Sequence, residues 1–245
     1  MNAQLPLLLR WPAQQRFETF VPGANGAALA LLLEAATSAT APWVFAAGPA
    51  GSGKTHLLIA ACAAATQAGR SAQYLSLARL ADRGEAVRSA SAASADAIRS
   101  FGGSDVLALD DIDAIAGDAA AEHALFDLYN RCKMDKSTLL FSATAAPTQI
   151  GIALPDLVSR LSACAQARLI PLDDTARRDW LRARAQVRGL ILDDSVLDWL
   201  FAHHARDLSS LADLLERMDR AALAAQRRVT VPFLRQLLDA EKKNG

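Results

Sequence analysis

The 245-residue chain has 52% hydrophobic and 21% charged residues, and its 26 Lys plus Arg balance 26 Asp plus Glu. Such a composition excludes a disordered chain and suits one large domain, or a medium domain with a smaller appendage. A dedicated sequence-specific DNA binder ordinarily carries a basic excess, so the neutral balance argues against direct DNA recognition.

The chain opens "NAQLPLLLRWP", which reads as a signal peptide, a first buried strand or a peptide made for another protein's pocket. The apolar run is too short and too Pro-broken for a secretory signal, and no basic residue precedes it. With no stretch long enough to span a membrane, a cytoplasmic protein is expected. Next, "PWVFAAG" predicts a buried strand from Trp43 to Ala47. "KTHLLIAACAAATQAG" predicts a helix closed by Gly69, and "SAQYLSL" a second strand. The Ala/Ser-rich segment 83–103 reads as a weakly amphipathic helix. "DVLALDD" is a third strand ending in two carboxylates. In "AAAEHALFDLYNRCKMDK", Leu125, Leu128 and Cys132 form one stripe with Phe126 and Tyr129 beside it, the mark of a helix. "STLLFSAT" gives a fourth strand, "LPDLVSRLSAC" a short helix and "ARLIPL" a fifth strand. This alternation specifies an α/β core, a five-stranded parallel sheet with right-handed crossovers and helices on both faces.

After Leu172 four helical patterns follow with no strand between them. Two open on Asp-Asp pairs suited to N-caps, and Pro232 falls in the first turn of the last. The expected organisation is a peptide and linker (1–16), an α/β nucleotide-binding core (17–172) and an all-α helical lid (173–245). Cys62, Cys132 and Cys164 lack metal or redox spacing and read as small buried side chains. His203 and His204 show no ligand spacing and read as surface or boundary residues.

Gly48–Thr55 spells "GPAGSGKT", the full G-x-x-x-x-G-K-[ST] pattern, between a predicted strand and helix. Its residue types follow from phosphate chemistry. Gly51 and Gly53 let backbone N–H groups turn inward where a Cβ would obstruct them. Around them Gly48, Pro49, Ala50 and Ser52 complete the cradle, with His56 at its margin. The helix starting at Lys54 points its positive end at the same anion. Lys54 supplies a mobile charge, and the Thr55 hydroxyl is a hard oxygen ligand for Mg²⁺. Asp110, ending a strand where open α/β sheets bind ligands, can hold that metal through a water, and Asp111 can polarise an attacking water. ADP or ATP with Mg²⁺ is the expected ligand.

A P-loop core followed by a helical lid resembles the AAA+ ATPases, and over nearly its whole length the chain is similar to the DnaA-related family. "FETFVPGANGAAL" is similar to the family's segment lining the base pocket. "SATAAPTQI" stands at the sensor 1 position, which makes Thr144 the sensor 1 residue where the family usually has an acidic one. "LPDLVSRL" is similar to the motif carrying the arginine finger, here Arg160, which would act on a neighbouring subunit's nucleotide. At sensor 2 the resemblance puts Ser209 where an arginine is usual, with Arg206 one turn earlier. Slow intrinsic hydrolysis is therefore expected.

Within that family the resemblance is to the Hda-type regulatory inactivators of DnaA. It implies that the N-terminal peptide, with Gln4, Leu5, Leu7 and Leu8, binds the sliding clamp (the beta subunit of DNA polymerase III), and that DnaA itself is the target. A Gln amide with spaced leucines suits a preformed apolar pocket, and Pro6 lowers the ordering cost. Self-association stays open. The alternative is an independent DnaA-related motor such as a helicase loader. A small-molecule kinase would share the phosphate loop but leave Arg160 and the lid without purpose.

Overall fold

Five short runs build the sheet of the first unit: β1 (Val44–Ala47), β2 (Ala72–Ser76), β3 (Val106–Asp110), β4 (Thr138–Ala143) and β5 (Ala165–Arg168). The computed structural model describes residues 11–81, 87–205, 207–225 and 228–242. The strands are all parallel, in the order β2-β3-β4-β1-β5. Helices α1 (Gly26–Thr37) and α2 (Lys54–Gln67) flank β1 in the chain. Then come α3 (Leu77–Ala81) and α4 (Val87–Ser100) between β2 and β3, α5 (Ala119–Asp135) before β4, and α6 (Pro155–Ser162) before β5. The short α3 was not anticipated.

Successive side chains on a strand point to opposite faces, and that alternation sorts the core into two layers. Phe45, Leu107, Leu109 and Phe141 join Ile98, Leu125, Leu128, Leu157 and Leu161 on the side of α4, α5 and α6. Val44, Ala46, Val106, Ala108 and Leu140 face Leu32, Leu57, Leu58 and Cys62 of α1 and α2. Helix α2 ends as its glycine predicts. Gly69 has φ +80°, Gly69 N–H donates to Thr66 O, and Arg70 N–H donates to Ala65 O, a left-handed cap satisfying the last carbonyls.

The fifth strand is the main correction. It runs Ala165–Arg168 rather than over "ARLIPL", so it starts two residues earlier and ends before the apolar residues that suggested it. Leu169 N–H still donates to Ala47 O, but Ile170 turns to a side chain. Its N–H donates to Asn25 Oδ1 and its carbonyl accepts from Asn25 Nδ2. Pro171 has no N–H to continue a ladder.

The chain divides after Pro171. The second unit comprises α7 (Asp174–Val187), α8 (Asp194–His203), α9 (Leu208–Ala225) and α10 (Val231–Lys242). Their apolar stripes meet in one core that includes Trp180, Leu197, Leu200, Leu214 and Met218. Asp173 caps α7 by accepting from Ala176 N–H, whereas Asp193 occupies the N-cap of α8 without a side-chain cap bond. Pro232 lies in the first turn of α10. His203 is exposed and stacks on Trp199, and His204 ends α8. Among the described residues no helix is long and apolar enough to cross a membrane.

Candidate nucleotide site

The loop between β1 and α2 has the backbone that the sequence demands. Gly51 sits at φ +75° and Gly53 at φ +93°, the latter as the left-handed N-cap of α2. A Cβ on Gly53 would lie 2.6 Å from Phe20 Cε2, and one on Gly48 would lie 2.6 Å from Leu169 O. Gly48 is thus required by close approach, and Gly53 by close approach as well as by dihedral. Gly48 N–H donates to Ala143 O, fixing the loop's start to the end of β4. Pro49 and Ala50 form the exposed shoulder of the loop, while Ser52 is buried and its Oγ has no hydrogen-bond partner. Lys54 is also buried, and its Nζ donates to Gly48 O at 2.7 Å and Pro49 O at 3.1 Å. A cradle with an unpaired buried hydroxyl, a buried ammonium held only by loop carbonyls and a helix N-terminus fits a polyphosphate.

Asp110 is fully buried at the end of β3 and accepts three hydroxyl donors. Thr55 Oγ1 and Tyr74 OH each reach its Oδ2 at 2.6 Å, and Ser142 Oγ donates to its Oδ1. The predicted metal pair, Thr55 and Asp110, is therefore in direct contact. Burial and then the Asp110 charge push the Tyr74 phenol well up, so it remains a donor. Asp111 is half-buried at φ +59°, and its N–H donates to Ser142 Oγ. Burial first, then Asp110, raise its carboxyl above the ordinary range, with Lys54 opposing.

Thr144 follows β4 directly and is bound to a carboxylate. Its hydroxyl donates to Asp113 Oδ2 at 3.0 Å and its N–H to Asp113 Oδ1. His56 points away from the phosphate loop's interior: its Nε2 bonds Arg16 O at 2.9 Å and its ring packs edge-on against Phe20. It fastens residues 16–20 onto α2, and Trp11 Nε1 adds a second tie to Thr66 Oγ1.

Arg160 lies near the residues that lead into β1, at the opposite end of that strand from the phosphate loop. Its guanidinium lies over the Tyr129 ring, 5.8 Å from the centroid, and Tyr129 packs edge-on against Trp43 at 4.6 Å. Trp43 precedes β1, and it shares a cleft with Lys136 and Ser137, which precede β4. The phosphate loop follows β1, so a four-residue strand, roughly 13 Å long, stands between them. The positioning of α6 depends on Glu122, only 1% exposed. Its carboxylate accepts from Gly117, Ala153 and Leu154 N–H groups, pinning the loop that leads into α6.

Ser209 lies in the first turn of α9. Arg206 lies outside the described residues, as do Gln4, Leu5, Leu7 and Leu8. Cys62, Cys132 and Cys164 are free and buried; burial pushes their thiols up to about 12, 11 and 12 respectively. Sequence reasoning missed Tyr74, Asp113, Ser142 and Glu122. The available signal was polarity out of place, such as a serine within the apolar run of a central strand.

Residues 12–167 match the family described as the bacterial DnaA ATPase domain, and residues 174–238 match the Hda lid domain. Among solved structures, domain III of Thermotoga maritima DnaA superposes with TM-score 0.74 at 20% identity, over 94% of this chain and 98% of that one. A replication initiator DnaA bound to AMPPCP and single-stranded DNA gives 0.68 at 21% identity, over 85% and 65%. The Thermotoga maritima RuvB Holliday junction branch migration motor gives 0.65 at 18%, over 94% and 72%. Against the longer DnaA chains this protein spans about two thirds of their length, 65% for the AMPPCP and single-stranded DNA complex. The fold is that of an AAA+ P-loop core with a helical lid.

Proposed function

The chain belongs to the bacterial DnaA ATPase-domain family, as an Hda-type member, and on that premise we propose that it is a negative regulator of chromosomal replication initiation. It binds ADP or ATP, is recruited by the DNA-loaded sliding clamp, and stimulates hydrolysis of ATP held by DnaA. The core, at 17–172, carries the nucleotide and the target-facing arginine; the lid is the segment at 173–245; the leading residues carry the clamp peptide.

Within the chain's own pocket, the N–H groups of Gly51 and Gly53 and the α2 dipole hold the phosphates, while Ser52 N–H donates to Pro49 O and closes the loop's own turn. Lys54 exchanges its carbonyl partners for phosphate oxygens. Thr55 and Asp110 would hold Mg²⁺, which supplies charge that neutralises the outer phosphates. Asp111 orients water from a half-buried position, and Thr144 is tied to Asp113. The raised carboxyl of Asp111 and the absence of an arginine at Ser209 both favour retention of nucleotide over rapid turnover. The pocket thus serves as a structural ligand site.

The observation that carries the reading is the separation of Arg160 from its own phosphate loop by the length of β1. An arginine so placed is available to a nucleotide on another molecule, where its planar fork spreads charge over two phosphate oxygens. Gln4, Leu5, Leu7 and Leu8 deliver the protein to the clamp, which raises its local concentration near DnaA on DNA. The test is turnover of DnaA-bound ATP with clamp-loaded DNA, with and without this protein. Acceleration that requires both the clamp and this chain is expected; unchanged turnover with both present overturns the reading.

A further inference from the structure

Asp110 is surrounded by more donors than a metal-binding carboxylate needs. A carboxylate offers about four lone-pair sites on two oxygens. Ser142 Oγ takes one on Oδ1, and Thr55 Oγ1 and Tyr74 OH fill both on Oδ2. The three donors differ in kind. Ser142 and Thr55 come from β4 and the first turn of α2, beside the phosphate loop; Ser142 Oγ is held between Asp111 N–H and Asp110, and the Thr55 hydroxyl sits next to the loop. Tyr74 comes from β2, the edge strand, in register with Ala108. Its ring packs against the α1–α2 core layer, so its hydroxyl is delivered by a rigid plane to one fixed point. Thr55 can keep donating to Asp110 while turning a lone pair to a cation. The phenol comes from the edge strand rather than from the loop's own helix, and its single O–H is committed to the carboxylate.

We propose that Tyr74 is a positioning residue that sets the metal dependence of nucleotide binding: its hydroxyl occupies the acceptor site on Asp110 Oδ2 that a metal-bound water would otherwise take. The inference rests on the reading that Thr55 and Asp110 hold Mg²⁺ alongside a nucleotide. Asp110 retains Ser142 and Thr55 when the phenol is lost, so its place at the end of β3 does not depend on Tyr74. What changes is the number of metal waters it accepts. In the wild type that number is held low, and the nucleotide is retained largely by the backbone cradle and Lys54.

The test compares the full chain with Tyr74→Phe, which removes one oxygen and keeps the ring. Affinity for a fluorescent ADP is measured from excess chelator through rising Mg²⁺, and again with Mn²⁺. In chelator the two proteins should bind alike. As metal is added, the half-maximal concentration for Tyr74→Phe should fall about tenfold, the size expected for one hydrogen bond to a charged group. An unchanged metal dependence, with ADP bound by both proteins, overturns the proposal alone. Failure of the wild type to bind ADP at any metal concentration overturns the nucleotide reading and the proposal with it. Loss of affinity in chelator, or a variant that no longer melts cooperatively near the wild-type temperature, makes Tyr74 a packing residue and also overturns the proposal.

Discussion

Replacing Glu122 by Ala should damage the Arg160 end while sparing the nucleotide pocket. The carboxylate accepts from Gly117 N–H at 2.7 Å, Ala153 N–H at 3.0 Å and Leu154 N–H at 2.8 Å. Hydrogen bonds to a charged group contribute about 1.5–3 kcal/mol each, so a simple sum over three donors overstates the loss. Gly117 and Ala153 are exposed and regain water when the acceptor goes; Leu154 is half-buried and does not. The net cost should therefore be about 2–4 kcal/mol, one dry donor plus a small cavity. In urea, with a slope near 2–3 kcal/mol/M, the core transition should move down by about 1 M. Glu122→Gln should recover little, because its amide NH₂ would confront an N–H donor. The functional counterpart is loss of stimulation of DnaA at unchanged ADP affinity, since α6 loses its anchor. A core transition unmoved by Glu122→Ala, or full stimulation by the variant, would refute the claim that this carboxylate sets α6.

Arg160→Ala should bind nucleotide and clamp like the wild type and lose clamp-dependent stimulation of DnaA by about 10³-fold or more, read as phosphate release. Gln4→Ala combined with Leu5→Ala should abolish clamp association in a pull-down without changing the melting temperature. The isolated protein should hydrolyse ATP well below about 1 s⁻¹; a faster turnover would show that Thr144 with Asp113 suffices at sensor 1. Asp111 has a carboxyl raised in the folded state, so its contribution favours folding when protonated and is lost as pH rises through the native value. Asp111→Asn should therefore be more stable than the wild type at neutral pH, since both Asp and Asn tolerate the φ of +59° and only the charge is removed. The difference should vanish below about pH 4, where the unfolded carboxyl is also protonated; a pH-independent difference would point to the backbone instead.

Sequence alone made the phosphate loop legible because its demands are local. Glycines at fixed offsets, a following helix and an adjacent lysine all lie within eight positions. The continuous apolar runs of "VLALD" and "TLLFSA" likewise reveal strands buried on both faces without reference to anything distant. The end of the sheet was harder. "ARLIPL" is more apolar than "AQAR", yet β5 is an edge strand whose residues are half solvated, so hydrophobicity put its start two residues and its end four residues too far along. Asp193 looked equal to Asp173 as a cap, but side-chain geometry decides whether an acceptor reaches the amide. The partners of Asp110 were illegible for a different reason. Tyr74 and Ser142 lie one strand before and one strand after it, with helices between, and only strand order brings them to the same carboxylate as Thr55. Glu122 presented the same difficulty: on a helix pattern it reads as a solvent-facing charge.

The sheet order also bears on how the chain is made. Val44 of β1 pairs with Leu140 of β4 and Ala165 of β5. Those partners leave the ribosome roughly 100 and 120 residues later, so at about 5–20 residues per second β1 waits about 5–20 s for its first neighbour. Meanwhile "VFAA" is an unpaired apolar strand, the kind of segment that invites association with other nascent chains. Strands β2 and β3 face a shorter interval and give the growing chain an early platform, whereas the phosphate loop takes shape only when Ala143 supplies the carbonyl that receives Gly48 N–H. The loop is thus completed late in synthesis, and if it holds a nucleotide as proposed, a pulse-labelled nascent chain arrested before β4 should fail to protect the loop from proteolysis however much ADP is present.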